Sequence, residues 1–318
     1  MRKFILINIM VLLVVLCGCT DEAKNNSQTR FLFDTVVTLS VDCDNKTLDG
    51  AFRLCEEYEK LFSRTLQGSE IYALNESSGF FEVSPDTLNL LEKALYYCEK
   101  TNGEYDISIC AVSSIWDFEG ATLPDRSQIA EALKNVDYRE IQINETAVNL
   151  NGKQIDLGSI AKGYIAERLV EYFNEHNVTA GIINLGGNVR VFGNRHYNVG
   201  IKNPKDPENN ITVVKVKNMS VVTSGTYERF ITVDNTTYHH ILDTSTGFSK
   251  QTDLLSATII GKNGADCDAI STICILYGLK DAKKFIEETK GYEAVFVDTD
   301  GNITYTSGIR KENGVFVL

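Results

Sequence analysis

The chain is poor in proline, with four in 318 residues, and poor in positive charge, with 31 basic against 43 acidic side chains. So few prolines, with no low-complexity tract, exclude a long proline-rich linker or stalk. The resulting formal charge of −12 excludes nucleic acid as a partner, because phosphate binding needs a basic face. No internal repeat is visible, which removes solenoids and propellers. Eight cysteines occur, yet none is spaced C-x-x-C, so a zinc site is not expected. What remains, 43% hydrophobic and 23% charged residues, is the composition of a folded soluble protein. The length allows one large domain or two interlocked ones, with a core that needs neither disulfide nor metal to fold.

Arg2-Lys3 precedes an apolar run, Phe4 to Leu16, broken only by Asn8. A bilayer takes about 20 apolar residues, so the run is read as a secretory signal. Leu16-Cys17-Gly18-Cys19 resembles the lipobox of bacterial lipoproteins; a plain cleaved signal is the other reading. Cys19 fits as the lipidated residue because Gly18 precedes it, whereas Cys17 follows Leu16. The expected division is a signal peptide over 1–18, a polar tether over 19–29 and a domain over 30–318. Losing Arg2 and Lys3 with the signal would leave 29 basic and 43 acidic groups, or −14. The mature chain would then sit on the extracytoplasmic face of the cell membrane, held by acyl chains. Cys43, Cys55, Cys98, Cys110, Cys267 and Cys274 read mostly as free core thiols, with an exported location leaving room for one disulfide.

Periodicity predicts a strand over Thr35–Asp42 and a helix over Asp49–Phe62 with an apolar stripe. Ser84-Pro85 opens a second helix as N-cap and first residue. Hairpins follow over Tyr138–Ile155, then a helix from Ile160 to His176. Strands are expected at Gly181–Phe192, Tyr197–Lys202, Ile211–Lys217, Tyr227–Val233 and Leu254–Ile260. Two helices, Ala265–Tyr277 and Lys280–Thr289, precede strands at Ala294–Asp298 and Ile303–Ser307. This order implies an α+β fold, mixed sheets with packed helices, as one large domain of two interlocked subdomains.

Four clusters carry chemistry. Asp156 to Gly163 lies where a strand gives way to a helix; its free N–H groups and Lys162 suit an anion, or form a capping loop with a solvated lysine. Leu185-Gly-Gly-Asn188 implies close backbone approach to a ligand, or equally a tight turn. Asp268 and Thr272, one helical turn apart, offer two hard oxygens suited to Mg²⁺, or ordinary capping and surface chemistry. Tyr238-His239-His240 holds two of only four histidines on opposite faces of a strand, one toward a site or both ordinarily satisfied.

The ordered set resembles the bacterial ApbE family of FAD:protein FMN transferases. Its carriers are Phe33-Asp-Thr35, Thr101 to Asp106, Asp156 to Gly163, Ile183 to Gly187, Thr223 to Arg229, His240 to Gly247 and Asp268 to Thr272. The resemblance implies Mg²⁺-dependent transfer of FMN from FAD to a Ser or Thr hydroxyl of an extracytoplasmic electron-transfer protein, with AMP released. It implies metal binding by Asp268, Thr272 and the carbonyl near Ser159, with Ser271 standing where some members carry another acid. Lys162 would lie against the nucleotide, and Phe33, Glu104, Tyr105, Asp106, Asp156 and Leu242 would line the FAD pocket. His240 is the candidate base, since imidazole titrates near neutral pH.

Three positions depart from the family pattern. Phe33-Asp34-Thr35 replaces Met-Gly-Thr, which predicts a bulkier and more acidic wall. Thr244 replaces a proline. Thr65 stands where many members place an aromatic against the nucleotide, so that end of FAD is expected to be looser. That keeps open a second reading, a metal-dependent FAD pyrophosphatase giving FMN and AMP. A third is a flavin- or solute-binding lipoprotein without catalysis.

Overall fold

The computed structural model describes residues 25–318; the expected signal peptide and Cys19 lie outside them. The framework is an eight-stranded sheet whose spatial order follows the chain: β1 (Asn25–Leu32), β2 (Thr35–Asp42), β3 (Gly181–Leu185), β4 (Asn188–Phe192), β5 (Met219–Gly225), β6 (Leu254–Gly261), β7 (Tyr292–Asp298) and β8 (Ile303–Tyr305). Every neighbouring pair is antiparallel. The α+β reading holds. The mixed pairing sits in a four-stranded sheet, where Val315–Val317 runs parallel to Asp206–Val216.

Strand periodicity sorts the large sheet into two cores. Leu39, Val222, Ile259 and Phe296 face the main core under the helices. Val191, Val221, Ile260 and Val295 face the four-stranded sheet, packing on Val199, Val214 and Phe316. Burial on both faces explains why Leu254–Ile260 reads as a nearly continuous apolar run. A satellite cluster of Val112, Trp116, Ile129, Ile231 and Leu242 supports the loops at one end.

The four longest helices are α1 (Asn45–Phe62), α2 (Pro85–Lys100), α3 (Ala161–Glu175) and α4 (Gly264–Glu288). α1 starts earlier than its apolar stripe because Asp44 caps it, accepting from Thr47 N–H. Ser84 caps α2 as expected, with Pro85 in the first turn. The two helices expected after Ala265 are one element broken at Gly278, where φ is 74°.

Two strands of the large sheet escaped the pattern. β1 begins at Asn25, inside the segment 19–29 expected to be a polar tether. Its polar residues hid it: Ser27 bonds Ser40 at 2.7 Å and Thr29 bonds Thr38 at 3.0 Å across the ladder. Arg30 pairs with Asp49 and stacks over Phe52, 4.2 Å from its ring, tying β1 to α1. β5, near the middle of the sheet, ends in Thr223-Ser-Gly225, a composition that reads as a turn until both faces are covered. The six cysteines of the described residues are all unpaired, five of them buried. No helix among the described residues is long and apolar enough to cross a membrane.

Candidate functional site

The site begins where two backbones touch. A Cβ on Gly163, in the first turn of α3, would run into the carbonyl of Gly264 at the start of α4. Glu167 fixes this crossing: its Oε1 accepts from Gly264 N–H at 3.0 Å and from Arg190 Nε at 3.0 Å. One turn into α4, Asp268 is 4% exposed and its Oδ2 accepts from Gly163 N–H at 2.9 Å. Burial raises its pKa, against the opposing pull of Lys162 and Gly163 N–H. Asn188 is itself buried, and its amide oxygen and nitrogen have no hydrogen-bond partner.

Oxygen donors surround this corner. Ser224, at the end of β5, bonds Ser271 at 2.7 Å and Thr272 at 3.2 Å. Ser271 is fully buried and donates to the Asp268 carbonyl at 2.8 Å. The Ser271 hydroxyl thus sits directly behind Asp268, its hydrogen directed at that residue's carbonyl. Ser159 shares a 2.8 Å hydrogen bond with the buried Tyr105 hydroxyl, and Lys162 Nζ donates to Gly158 O at 3.2 Å. Among the described residues no three His, Cys, Asp or Glu side chains converge. The donor set is thus one carboxylate with hydroxyls, an amide and carbonyls, which fits Mg²⁺, an ion that keeps waters and substrate oxygens in its shell. The orphaned Asn188 amide beside Asp268 is the polar group that a hydrated cation would satisfy.

Gly186 and Gly187 form the tight turn between β3 and β4, both at positive φ. A Cβ on Gly186 would meet the Thr35 side chain, and one on Gly187 would lie 3.8 Å from Glu228 Oε1. The turn reading holds there. Loss of solvent raises the Glu228 pKa, while Lys162, Lys202 and Arg229 lower it. His240 hydrogen-bonds the Arg229 carbonyl through Nδ1 at 3.3 Å. A carbonyl only accepts, so Nδ1 carries the hydrogen and Nε2 keeps its lone pair. Burial pulls the His240 pKa down to about 4, with Arg229 O opposing and the charges of His239, Arg229 and Lys162 reinforcing. His239, on the other face, is buried, with Nε2 3.0 Å from Lys250 O.

The remaining expected residues spread outward. Phe33 packs on the main core, and its N–H donates to Glu59 at 2.7 Å. Phe33 and Asp34 occupy left-handed conformations, φ 56° and 55°, as a two-residue hairpin turn requires. Asp34 is exposed, so the extra acid points to solvent. Asp156 Oδ1 accepts from Gly158 N–H at 2.8 Å and Oδ2 pairs with Arg64 at 2.8 Å. Thr65 and Glu104 are exposed; Glu104 lies 3.9 Å from Lys250. Asp106 is buried and accepts from Ser108 N–H, Ser108 Oγ and Tyr138 N–H, which ties its loop together. Leu242 is 6% exposed and packs in the satellite core. Thr244, in place of a proline, donates to Gly103 O at 2.9 Å, joining the two loops by a hydrogen bond.

Sequence reading missed Asn188, Ser224, Glu228 and Arg64 as individual site residues. The first three stand within motifs already singled out, but only burial and proximity distinguish them. Arg64 had no signal beyond being next to Thr65.

Fold and cleft together define an α+β protein with an oxygen-lined site at two helix starts. The sequence model described as the ApbE family matches residues 33–296, and the chain belongs to that family. It is 30% identical to the FAD:protein FMN transferase of Treponema pallidum (strain Nichols), over 94% of this chain and 93% of that one. It is also 30% identical to the enzyme of the same name from Klebsiella pneumoniae (strain 342), over 83% and 86%. Among solved structures, the ApbE protein from Thermotoga maritima matches with a TM-score of 0.82 and 29% identity, covering 89% of this chain and 97% of that one. The flavin transferase ApbE from Vibrio cholerae, at 18% identity over 89% and 97%, shares the fold with a TM-score of 0.77.

Proposed function

We propose that this chain is a transferase that moves FMN from FAD to a Ser or Thr hydroxyl of an acceptor protein, releasing AMP. The observation that carries the reading is the α3–α4 crossing, where the buried Asp268 accepts from Gly163 N–H at 2.9 Å, next in the chain to Lys162. A carboxylate and a lysine brought together at two helix starts suit a phosphate that is to be attacked by a hydroxyl. His240 Nε2 takes the proton of the acceptor hydroxyl. The hydroxyl oxygen bonds the flavin-side phosphorus, the bond to the bridging oxygen breaks, and that oxygen leaves with AMP. Asp268 and Thr272, with the carbonyl near Ser159, would hold Mg²⁺, which when bound offsets pyrophosphate charge that a chain of net charge −12 otherwise repels. The lipobox-like Cys19 and the basic-apolar start support a lipid-anchored protein on the extracytoplasmic face, acting on electron-transfer proteins there.

Hydrolysis of FAD is the second reading, favoured by the exposed Thr65, too short to cover the nucleotide. The test incubates the full chain with FAD, Mg²⁺ and a candidate acceptor. Flavin fluorescence on the denatured acceptor with AMP in solution is the expected outcome. AMP and free FMN without labelled protein would replace transfer by hydrolysis, and FAD binding with neither product would leave a binding protein.

A further inference from the structure

The loop that opens α3 is held from outside by one side chain. Arg64 follows α1 directly, and its Nε lies 2.8 Å from Asp156 Oδ2. Its Nη1 donates to Ser114 Oγ at 2.9 Å. Asp156 in turn caps Gly158 N–H through Oδ1 at 2.8 Å and donates its own N–H to Ile107 O at 2.9 Å. Gly158 O accepts from Lys162 at 3.2 Å. A chain of polar contacts thus runs from the end of α1, through Asp156 and Gly158, to the ammonium of the proposed phosphate corner. The pair is partly solvent-exposed, 27% for Arg64 and 31% for Asp156, so simple ion-pair strength is modest. A guanidinium bonded to two different loops adds geometry that a point charge lacks.

We infer that Arg64 is a positioning residue for FAD, clipping the Ser63–Leu66 turn to the Asp156–Ser159 loop so that both walls of the nucleotide cleft keep a fixed separation. The inference rests on the flavin-transfer reading. It assigns Arg64 no part in the bond-making step: the side chain acts through Asp156, and its loss reduces nucleotide capture more than turnover. It also accounts for the tolerance of Thr65, since the clip orders the turn in which an aromatic is missing.

The experiment titrates full chain with FAD in Mg²⁺ by flavin fluorescence, then measures KM and kcat for AMP release. Arg64→Ala is expected to raise Kd and KM for FAD roughly tenfold, with kcat within about twofold. Arg64→Lys should recover only part of the affinity, because one ammonium does not reach both Asp156 and Ser114. Ser114→Ala, which leaves the ion pair intact, should raise Kd about two- to threefold. Unchanged FAD affinity in folded Arg64→Ala overturns the inference, as does a loss confined to kcat. If Arg64→Ala unfolds, unchanged affinity in both Arg64→Lys and Ser114→Ala overturns it instead. A parent chain that binds no FAD refutes the flavin reading itself, a result distinct from either.

Discussion

The inner corner of the cleft and its outer loops are built on opposite terms. At the corner, Gly163 and Gly264 bring two helix backbones into contact, and Asp268 and Ser271 are buried with their partners assigned. Outside it, Thr65, Glu104 and Asp34 are exposed, and Thr65 bonds only to Ser63 in its own turn. The corner handles charge, where an error of an ångström weakens every electrostatic contact. The loops handle nucleotide shape, where side chains can change without moving the framework. Phe33-Asp34, Thr65 and Thr244 lie outside the corner, whereas Ser271, at a position where the resemblance implies another acid in some members, lies within it.

Breaking the corner should cost most. Asp268→Ala is expected to lower FMN transfer roughly 100- to 1,000-fold, and chelation of divalent ions should do the same to the parent chain; retained activity in both would sink the metal assignment. Removing the base comes next: His240→Ala should slow transfer roughly 100-fold at saturating FAD. Because the base works unprotonated and its pKa is pulled down to about 4, the rate should hold as pH falls through the ordinary histidine value of about 6.5. It should drop only near pH 4, and a limb at 6.5 would remove His240 from that role.

Gly163→Ala tests the backbone contact itself. A methyl there must push α3 from α4, costing about 1–3 kcal/mol of stability and separating Lys162 from Asp268, as thermal unfolding and transfer rate would report. Gly152→Ala makes the contrast, since a Cβ there meets nothing within 4 Å; it should carry only the strain of its positive φ. The smallest effect is expected at the outer loop. Thr65→Tyr should lower KM for FAD about two- to fivefold through base stacking and reduce free FMN relative to labelled acceptor. An increase in free FMN would reverse the reading of that position.

Much of the scaffold was legible in sequence. Ser84-Pro85 announces α2 through capping chemistry, and Thr35–Asp42 announces β2 through alternation, because both signals are local. β1 and β5 were not legible, since polar strands gain their stability from partners far away in the chain. Asp268, Lys162 and His240 could be named from motifs, but the surroundings of Asp106 and Leu242 could not be read. Their side chains meet Ser108, Tyr138 and the satellite core, neighbours that spacing alone does not reveal. Arg64 shows the converse: an ordinary arginine in sequence that acquires two partners, Asp156 and Ser114, only on folding.

By itself, the sequence determined the family, the α+β class, the deficit of positive charge and the residue types available to handle a pyrophosphate. The family rests on the resemblance of the ordered motifs and the rest on composition and local periodicity, since each of these is a property of neighbouring residues or of the whole count. Tertiary structure decided which oxygens meet, that Nε2 of His240 is the free nitrogen, and that Asp268 stands as a single buried carboxylate beside Lys162. Those outcomes depend on two glycines letting α3 and α4 touch across about a hundred residues of chain, a long-range contact that no local signal encodes.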